Sequence, residues 1–289
     1  MPVLPNTSDY LPTHTSPSGS LITGTHGSDG GPVGFVWSES LGMVSIGDLP
    51  GGRRDSYLTT ITETGFSVGA SSTAIDDGSA YFRAISWSPQ GGMQLLPLPS
   101  PNDEGISSSA RQLLPGGRIF GQSASGAWLY SESEGFEMLD GARHMNFASD
   151  DGSIFSGTSL ATGTNPAYWT RENGLQHLSL LGDHFFGNVL GMSADGSVIV
   201  GTSQGVECVW IDQGEAIELV DYAESFGLDM TGWSILNMGQ VSADGTTIVG
   251  TARHASWESG RVEGFVLTIP TPASTIPLTF ALFANRRNR

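Results

Sequence analysis

Short apolar runs alternate with polar, glycine-containing turns along most of this chain of 289 residues. Residues 193–203 read SADGSVIVGTS, and residues 242–252 repeat the pattern as SADGTTIVGTA. In both, an Asp-Gly turn leads into a run of Val, Ile and Thr, which are residues that favour strands. Asp-Gly also supplies the positive φ of a hairpin turn, so the pattern predicts two antiparallel strands joined by a tight turn.

Two spacings repeat along the chain and define six units. In the first, a turn glycine is followed four or five residues later by a second glycine inside an apolar run. In the second, an aromatic residue is followed by glycine after five residues and by an apolar residue after six, as in Trp37, Gly42 and Met43. The second glycines of the first spacing are Gly24, Gly69, Gly121, Gly157, Gly201 and Gly250.

Each unit is long enough for four short strands. In the fifth unit the runs NVLGMS, SVIVGTS, ECVWI and AIELV, within residues 188–220, are separated by turns or short loops. Six such units, at about 40 to 50 residues each, predict an all-β fold: a six-bladed β-propeller with four-stranded antiparallel blades, in one domain over residues 1–270. An open solenoid is the alternative architecture, and it would need capped ends.

The two ends of the repeat region predict how the ring closes. The last unit stops at GFVLTIP (264–270), its third strand, and residues 1–10 resemble the fourth strand and loop at 93–103. We therefore predict that the N-terminal strand completes the last blade. The remaining residues, 271–289, are predicted to form a flexible tail.

One helical segment is predicted between the fifth and sixth units, within residues 221–232. Tyr222, Phe226 and Met230 recur there at intervals of four residues, which is the spacing of one helix face. A short helix or a compact loop would fit this segment.

Composition supports many short strands and limits the partners. The chain has 40 Gly, only 14% charged residues and no Lys, which is unlike a helix-rich protein. The formal net charge of −17 disfavours binding to nucleic acid; it either favours a basic partner or serves solubility alone. No apolar run reaches the roughly 20 residues of a membrane span, and residues 1–10 show no export signal.

Several stretches resemble the HAF-repeat family of probable extracellular bacterial proteins. They are GFVWSESLGMVSIGDLPGG (34–52), the two SADG…IVG blocks, and GLDMTGWSILNMGQ (227–240) with the later EGFVLTIP. The resemblance covers nearly the whole chain and implies a propeller-like repeat domain outside the cytoplasm. It implies no established activity, because the name of the family records a repeat and not a reaction.

The C-terminal segment IPTPASTIPLTFALFANRRNR (269–289) resembles a PEP-CTERM sorting signal. Its apolar stretch of about ten residues is half of a bilayer span, so no stable membrane span is expected. A disordered tail with a few arginines is the alternative. The residues that match the Pro motif and the basic end are Pro270, Pro272, Arg286, Arg287 and Arg289.

No catalytic constellation or metal spacing is recognisable, so we expect no catalytic residues, metal or cofactor. GTSQG (201–205) matches a nucleophile-elbow pattern, but it occupies a strand end where other units read GTSLA and GTARH. The six His show no metal-ligand spacing. Cys208 is the lone cysteine and, between apolar neighbours, is predicted to be a buried thiol. The Trp residues of the third strands are predicted to pack between sheets.

Ligand-binding residues are predicted from topology alone. Propeller ligands usually lie on the face formed by the loops that join strand two to strand three and strand four to the next unit. The residues that we select in long loops of these two kinds are His26, Asp76, Asp77 and Trp257.

These observations favour a monomeric, non-catalytic protein of the cell envelope or the extracellular space. Its expected partner is an extracellular polysaccharide, a matrix component or a surface protein, bound through one propeller face. A propeller-fold polysaccharide hydrolase or lyase is the first alternative. An intracellular protein-interaction scaffold is the second.

Overall fold

Six four-stranded antiparallel sheets, one short α-helix and a 3-10 turn at Pro115–Gly117 make up the regular structure in the part of the chain that the computed structural model describes. The prediction of an all-β fold made of such sheets is therefore confirmed. The described residues are 10–28, 30–74, 80–100, 103–159, 164–258, 260–269 and 279–283.

The chain divides into two compact units, residues 1–143 and 144–289. Each of the first unit's three sheets is a meander, in which every strand pairs with the next one. Their strands are β1 (Tyr10–Thr15), β2 (Leu21–Ser28), β3 (Gly31–Ser38) and β4 (Gly42–Ser45); β5 (Gly51–Ile61), β6 (Ser67–Ala74), β7 (Ala80–Ser88) and β8 (Gly92–Leu95); and β9 (Ser108–Leu114), β10 (Arg118–Ser123), β11 (Gly126–Ser131) and β12 (Gly135–Met138).

The second unit contains the other three meanders and the helix. Its elements are β13 (His144–Ala148), β14 (Ile154–Ser159), β15 (Asn165–Thr170) and β16 (Gly174–His177); β17 (Gly187–Met192), β18 (Val198–Ser203), β19 (Val206–Ile211) and β20 (Ile217–Glu218); α1 (Leu219–Ser225); and β21 (Trp233–Val241), β22 (Thr247–His254), β23 (Glu263–Thr268) and β24 (Thr279–Phe283). Helix α1 confirms a short helix in this segment in part, because it begins two residues earlier than predicted and ends at Ser225, before Phe226 and Met230.

The sixth sheet differs from the prediction in its fourth strand. That strand is β24, which pairs antiparallel with β23 from Gly264↔Phe283 to Thr268↔Thr279. The prediction that the N-terminal strand completes the last sheet is therefore wrong, because β24 already satisfies the free backbone edge of β23. Strand β24 lies within the segment 271–289 predicted as a tail, and residues 1–9 lie outside the described part of the chain.

Neighbouring sheets of each unit pack face to face through apolar cores. Between the first two sheets, Trp87 lies with Val36 and Leu58 in one buried cluster. Between the fourth and fifth sheets, Trp210 and Cys208 lie in another. The predictions of inter-sheet tryptophans and of a buried thiol are thus confirmed at these positions, and burial raises the pKa of Cys208 to about 12.

The second-strand glycines lie opposite a β-bulge of the first strand. In the fifth sheet Val189 pairs with Gly201 and Gly191 with Val200, so one extra residue is inserted beside the glycine. A β-carbon on Gly201 would lie 2.0 Å from the carbonyl oxygen of Asn188. The same shift and the same clash with a first-strand carbonyl occur at every second-strand glycine: Gly24, Gly69, Gly121, Gly157, Gly201 and Gly250.

The SADG turns are closed by their own side chains. In the fifth sheet the Asp195 carboxylate accepts hydrogen bonds from the Ser193 hydroxyl (2.7 Å) and the Ser197 backbone N–H (3.0 Å). The Ser193 hydroxyl oxygen in turn accepts the N–H of Val198, at 2.9 Å. The hydrogen bonds to Asp195, with that from the Ser193 hydroxyl as the largest contribution, lower the pKa of Asp195. Asp151 in the corresponding turn of the fourth sheet accepts the same two bonds, from Ser149 and Ser153, so these turn acids are structural.

The first sheet lacks an aspartate in this turn and obtains a carboxylate from the second sheet. Ser18 stands where the turns of the fourth, fifth and sixth sheets have Asp, and its backbone N–H donates to Glu63 at 2.5 Å. The hydroxyl groups of Ser18 and Ser20 donate to the same carboxylate, at 2.7 and 3.2 Å. Glu63 thus links the turn of the second sheet to that of the first.

We expect Gly201→Ala to lower the free energy of unfolding by about 2 kcal/mol or more, because the new methyl group would displace a backbone carbonyl. Chemical denaturation followed by tryptophan fluorescence measures this. Gly264→Ala in β23 is the matched control, since its β-carbon would have its nearest neighbour at 3.8 Å. Equal stability of the two variants would contradict the role given to the bulge.

Candidate functional site

The loops that join β18 to β19, β22 to β23 and successive sheets lie on one side of the second unit. Because the sheets are antiparallel meanders, these loops are at one end of each sheet and the SADG turns at the other. The turns are joined by hydrogen bonds from Asp150 N to Ala194 O (2.6 Å) and from Ala194 N to Ala243 O (2.8 Å). The loop ends of the three sheets therefore share one side, which we call the loop surface: residues 178–186, 204–207, 218–235, 254–258 and 260–263.

Trp257, one of the predicted ligand-binding residues, is the centre of a half-buried cluster on the loop surface. Its ring lies 5.3 Å from that of Trp233 in a T-shaped contact. The Trp233 ring lies 4.9 Å from that of His254. The guanidinium of Arg261 lies 4.9 Å from the centroid of the Trp257 ring and pairs with the Glu263 carboxylate. Such Trp–Arg clusters are typical of binding surfaces.

His26 lies in a strand and not in the predicted loop. The hairpin β2–β3 keeps its pairing as far as Ser28↔Gly31, so His26 is a strand residue and not a loop residue. Its side chain is 4% exposed, and its ring nitrogens lie 3.2 Å from Gly27 O and 3.2 Å from Ser45 Oγ. His26 is therefore a core histidine with satisfied nitrogens, and its prediction as a loop residue is wrong.

The other predicted positions cannot be placed in a site. Asp76 and Asp77 lie outside the described residues, and so do the sorting-signal positions Pro270, Pro272, Arg286, Arg287 and Arg289. Their roles stay predictions.

Two further aromatic pairs lie on the loop surface, and the sequence did not identify either pair as part of a binding surface. The Phe185 side chain is 73% exposed, and its ring lies 5.3 Å from that of Phe186 in the loop before β17. Phe226, directly after α1, is 40% exposed and lies 5.2 Å from the Tyr222 ring. Phe185 and Phe226 do not recur at equivalent positions of other units, so repeat alignment alone could not select them.

A small pocket opens beside this cluster, between the fifth and sixth sheets. Its volume is about 230 Å³, and its walls come from the start of β19, the junction of β20 and α1, and the start of β21. Two carboxylates, Glu207 and Glu218, line it together with Trp233. The lining residues are Gly205, Val206, Glu207, Glu218, Leu219, Val220, Trp233, Ser234 and Ile235.

Glu207 is the unusual residue of this pocket, because a carboxylate is seldom so deeply buried without a cation. Its side chain is 8% exposed. Burial raises the pKa of Glu207, and the charge of Glu218 raises it further, while its own backbone N–H opposes the shift. The sequence ECVWI indicates a strand here but not that the glutamate faces a pocket.

The first unit contains a recess at the loop end of its third sheet. Asp103 is 1% exposed and accepts a hydrogen bond from the Ser125 hydroxyl, while its Oδ2 has no partner among the described residues. It lines a cavity of about 500 Å³ together with Arg143. A larger cavity of about 860 Å³, with apolar walls that include Leu41 and Trp87, lies at the turn end of the first two sheets.

The Ser–His contact at the G-x-S-x-G pattern does not form an exposed nucleophile. His184 Nδ1 lies 2.9 Å from Ser203 Oγ, but Ser203 is fully buried and its hydroxyl oxygen also accepts the N–H of Leu181, at 3.0 Å. A substrate cannot reach this oxygen without movement of the strand end. Among the described residues, no cluster of three or more His, Cys, Asp or Glu is placed to hold a metal ion. None of the described helices is long and apolar enough to cross a bilayer.

Comparison with known proteins gives similarity of fold alone. No family model and no curated protein matches the chain, so the HAF-repeat resemblance stays a prediction. TolB from Acinetobacter baumannii is 16% identical over 72% of this chain, with a TM-score of 0.49, and the chain spans about half (53%) of its length. An oligogalacturonate lyase in complex with manganese is 13% identical over 89% of this chain and 76% of its own, with a TM-score of 0.48. The Cps50 (Swd1) β-propeller domain of Myceliophteria thermophila is 10% identical over 88% and 77%, with a TM-score of 0.46. These similarities concern the fold and give no information on what this chain binds.

We expect Glu207→Gln to raise the free energy of unfolding at pH 7 by about 1 kcal/mol, because it removes a desolvated charge that Glu218 repels. The pKa of Glu207 is raised in the folded state above its ordinary value of 4.5. The stability of the wild type therefore falls as pH rises from 4.5 to the raised pKa. The advantage of the variant should therefore shrink as pH is lowered towards 4.5. Thermal unfolding between pH 4.5 and 7.5 measures this.

Glu215→Gln is the matched control, since Glu215 is exposed in the turn between β19 and β20, at the other end of the same sheet. Its stability should equal that of the wild type within about 0.5 kcal/mol. A Glu207→Gln variant less stable than this control would show that the Glu207 carboxylate is held by a favourable partner, against the present interpretation.

Proposed function

We propose that this protein is a non-catalytic binding protein that engages a polysaccharide, a matrix component or a protein through its loop surface. The observation that carries the proposal is the concentration of half-buried and exposed aromatic side chains there, around Trp257 and Trp233, next to the Glu207 pocket. Aromatic side chains bury a large area at low conformational cost, which suits a recognition surface. The six-bladed, closed propeller predicted from the repeats remains part of the proposal.

The absence of accessible catalytic groups at the pattern GTSQG favours binding over turnover. Ser203, the one serine in the position of a nucleophile, has a fully buried side chain. A propeller-fold polysaccharide hydrolase or lyase remains the second candidate, and one observation favours it: Glu207, with a raised pKa, lines the same pocket as a second carboxylate, Glu218. Turnover of a polysaccharide that Glu207→Gln abolishes would establish that candidate instead.

We expect Trp257→Ala to weaken binding of the macromolecular ligand about tenfold or more, because it removes the ring against which Trp233 and Arg261 pack. A panel of purified polysaccharides and basic proteins, passed over the immobilised protein, identifies the ligand, and interferometry measures the affinities. Leu41→Ala is the matched control, since Leu41 is a 64% exposed apolar residue at the turn end of the first sheet. If both variants bind the ligand with the affinity of the wild type, the binding site lies outside the Trp257 cluster.

We also propose an extracellular or envelope location, supported by the resemblance of the repeats and of residues 269–289 to exported bacterial proteins. Fractionation of the native host, with mass spectrometry of the mature termini, should recover the protein outside the cytoplasm. Processing near residues 270–274 would support the sorting signal. An intact cytoplasmic chain that ends at Arg289 would overturn the location and favour an intracellular partner.

A further inference from the structure

The pocket beside Trp233 combines two acidic groups with no cation. Glu207 and Glu218 line it, and none of its nine lining residues carries a positive charge. Glu207 is 8% exposed, and the one hydrogen bond to its carboxylate from the described residues comes from its own backbone N–H. A carboxylate that is largely withdrawn from water without a cation beside it reduces the stability of the free protein.

The arginine of the loop surface, Arg261, has partners outside the pocket. Arg261 stacks on the Trp257 ring and forms an ion pair with Glu263. The chain contains no lysine at all. A cationic ligand would compensate the charges of Glu207 and Glu218.

The size and walls of the pocket indicate which cation fits. A volume of about 230 Å³ holds one side chain, and is smaller than the roughly 300–1,000 Å³ of sites for larger organic ligands. Val206, Leu219 and Ile235 give apolar walls for an aliphatic stem. A planar guanidinium can stack on an indole ring while it donates to carboxylates, and it loses less hydration than an ammonium.

We propose that this pocket binds the guanidinium group of an arginine side chain on a protein partner. The inference rests on the proposed binding function, and it specifies the partner as a protein with an exposed arginine. Glu207 and Glu218 accept the N–H donors, and Trp233 forms the aromatic wall. The net charge of −17 attracts such a partner over a longer range.

The test titrates the whole protein with N-acetyl-arginine amide, observed by calorimetry and by tryptophan fluorescence. N-acetyl-citrulline amide is the neutral probe of nearly the same shape. The wild type and the control variant Glu215→Gln should bind the arginine probe with equal affinity and the citrulline probe at least about tenfold more weakly. Glu207→Gln and Trp233→Leu should each weaken binding of the arginine probe by a similar factor.

Several results would overturn the proposal. They are the absence of saturable binding of the arginine probe, equal binding of the citrulline probe, and a Glu207→Gln variant that binds like Glu215→Gln. If N-acetyl-lysine amide binds more tightly than the arginine probe, the pocket recognises a positive charge and not the guanidinium group. Tighter binding of glucosamine would point to an amino-sugar polymer instead of a protein.

These outcomes are separable from failure of the proposed function and from misfolding. Glu207→Gln is expected to be more stable than the wild type, so its loss of binding cannot be attributed to unfolding. If the arginine probe does not bind while Trp257→Ala still weakens the macromolecular ligand, the pocket proposal falls and the loop surface remains. If the arginine probe binds and Trp257→Ala has no effect on any ligand, the pocket proposal stands and the proposed role of the Trp257 cluster falls.

Discussion

In every sheet a carbonyl oxygen of the first strand occupies the space where the second strand would carry a β-carbon. The distance from that oxygen to the ideal β-carbon of the glycine ranges from 1.9 Å at Gly69 to 2.7 Å at Gly121. Only glycine lets the two backbones approach so closely. The inserted residue of the bulge bends the first strand and increases its twist, and a twisted meander can pack its faces against a neighbour on each side.

The aromatic residues of the third strands depend on the same glycines. Trp128 and Phe265 lie over Gly121 and Gly250, with ring atoms 2.2 and 2.6 Å from the ideal β-carbons. The absent side chain thus provides both the space for the bulge and the space for a buried ring. Both rings are almost fully buried, and Trp128 belongs to the core between the second and third sheets. In the four sheets where an aromatic ring lies against the glycine, at Gly24, Gly121, Gly201 and Gly250, this one residue therefore affects both pairing within the sheet and packing of the ring.

This explains what the sequence could and could not predict. Repeat spacing, Asp-Gly turns and apolar runs predict the strands, because these signals are local and recur in each unit. The closure of the sixth sheet was not predictable in this way, since pairing of β24 with β23 depends on two segments separated by ten residues of chain. His26 was misplaced because the length of a hairpin depends on its cross-strand partners, here as far as Ser28 and Gly31.

The candidate site was harder to predict because it lies where the six sequence repeats differ from one another. Trp257 was identifiable as a residue of a long loop, whereas Glu207 lies in a strand whose other residues indicate a core. Its burial depends on the start of β21 and on helix α1, which belong to other parts of the repeat.

The two kinds of acidic residue in this chain show how function can be separated from structure. The turn acid Asp195 accepts several hydrogen bonds, and they lower its pKa. Glu207 is more deeply buried than Asp195, lacks such donors and has a raised pKa. A carboxylate of the first kind stabilises the folded chain, whereas one of the second kind reduces its stability until a cation binds. The buried charge of Glu207 lowers the stability of the free protein, and a bound guanidinium would restore that stability. The carboxylate is already held in the pocket before the ligand binds, so little ordering is needed on binding.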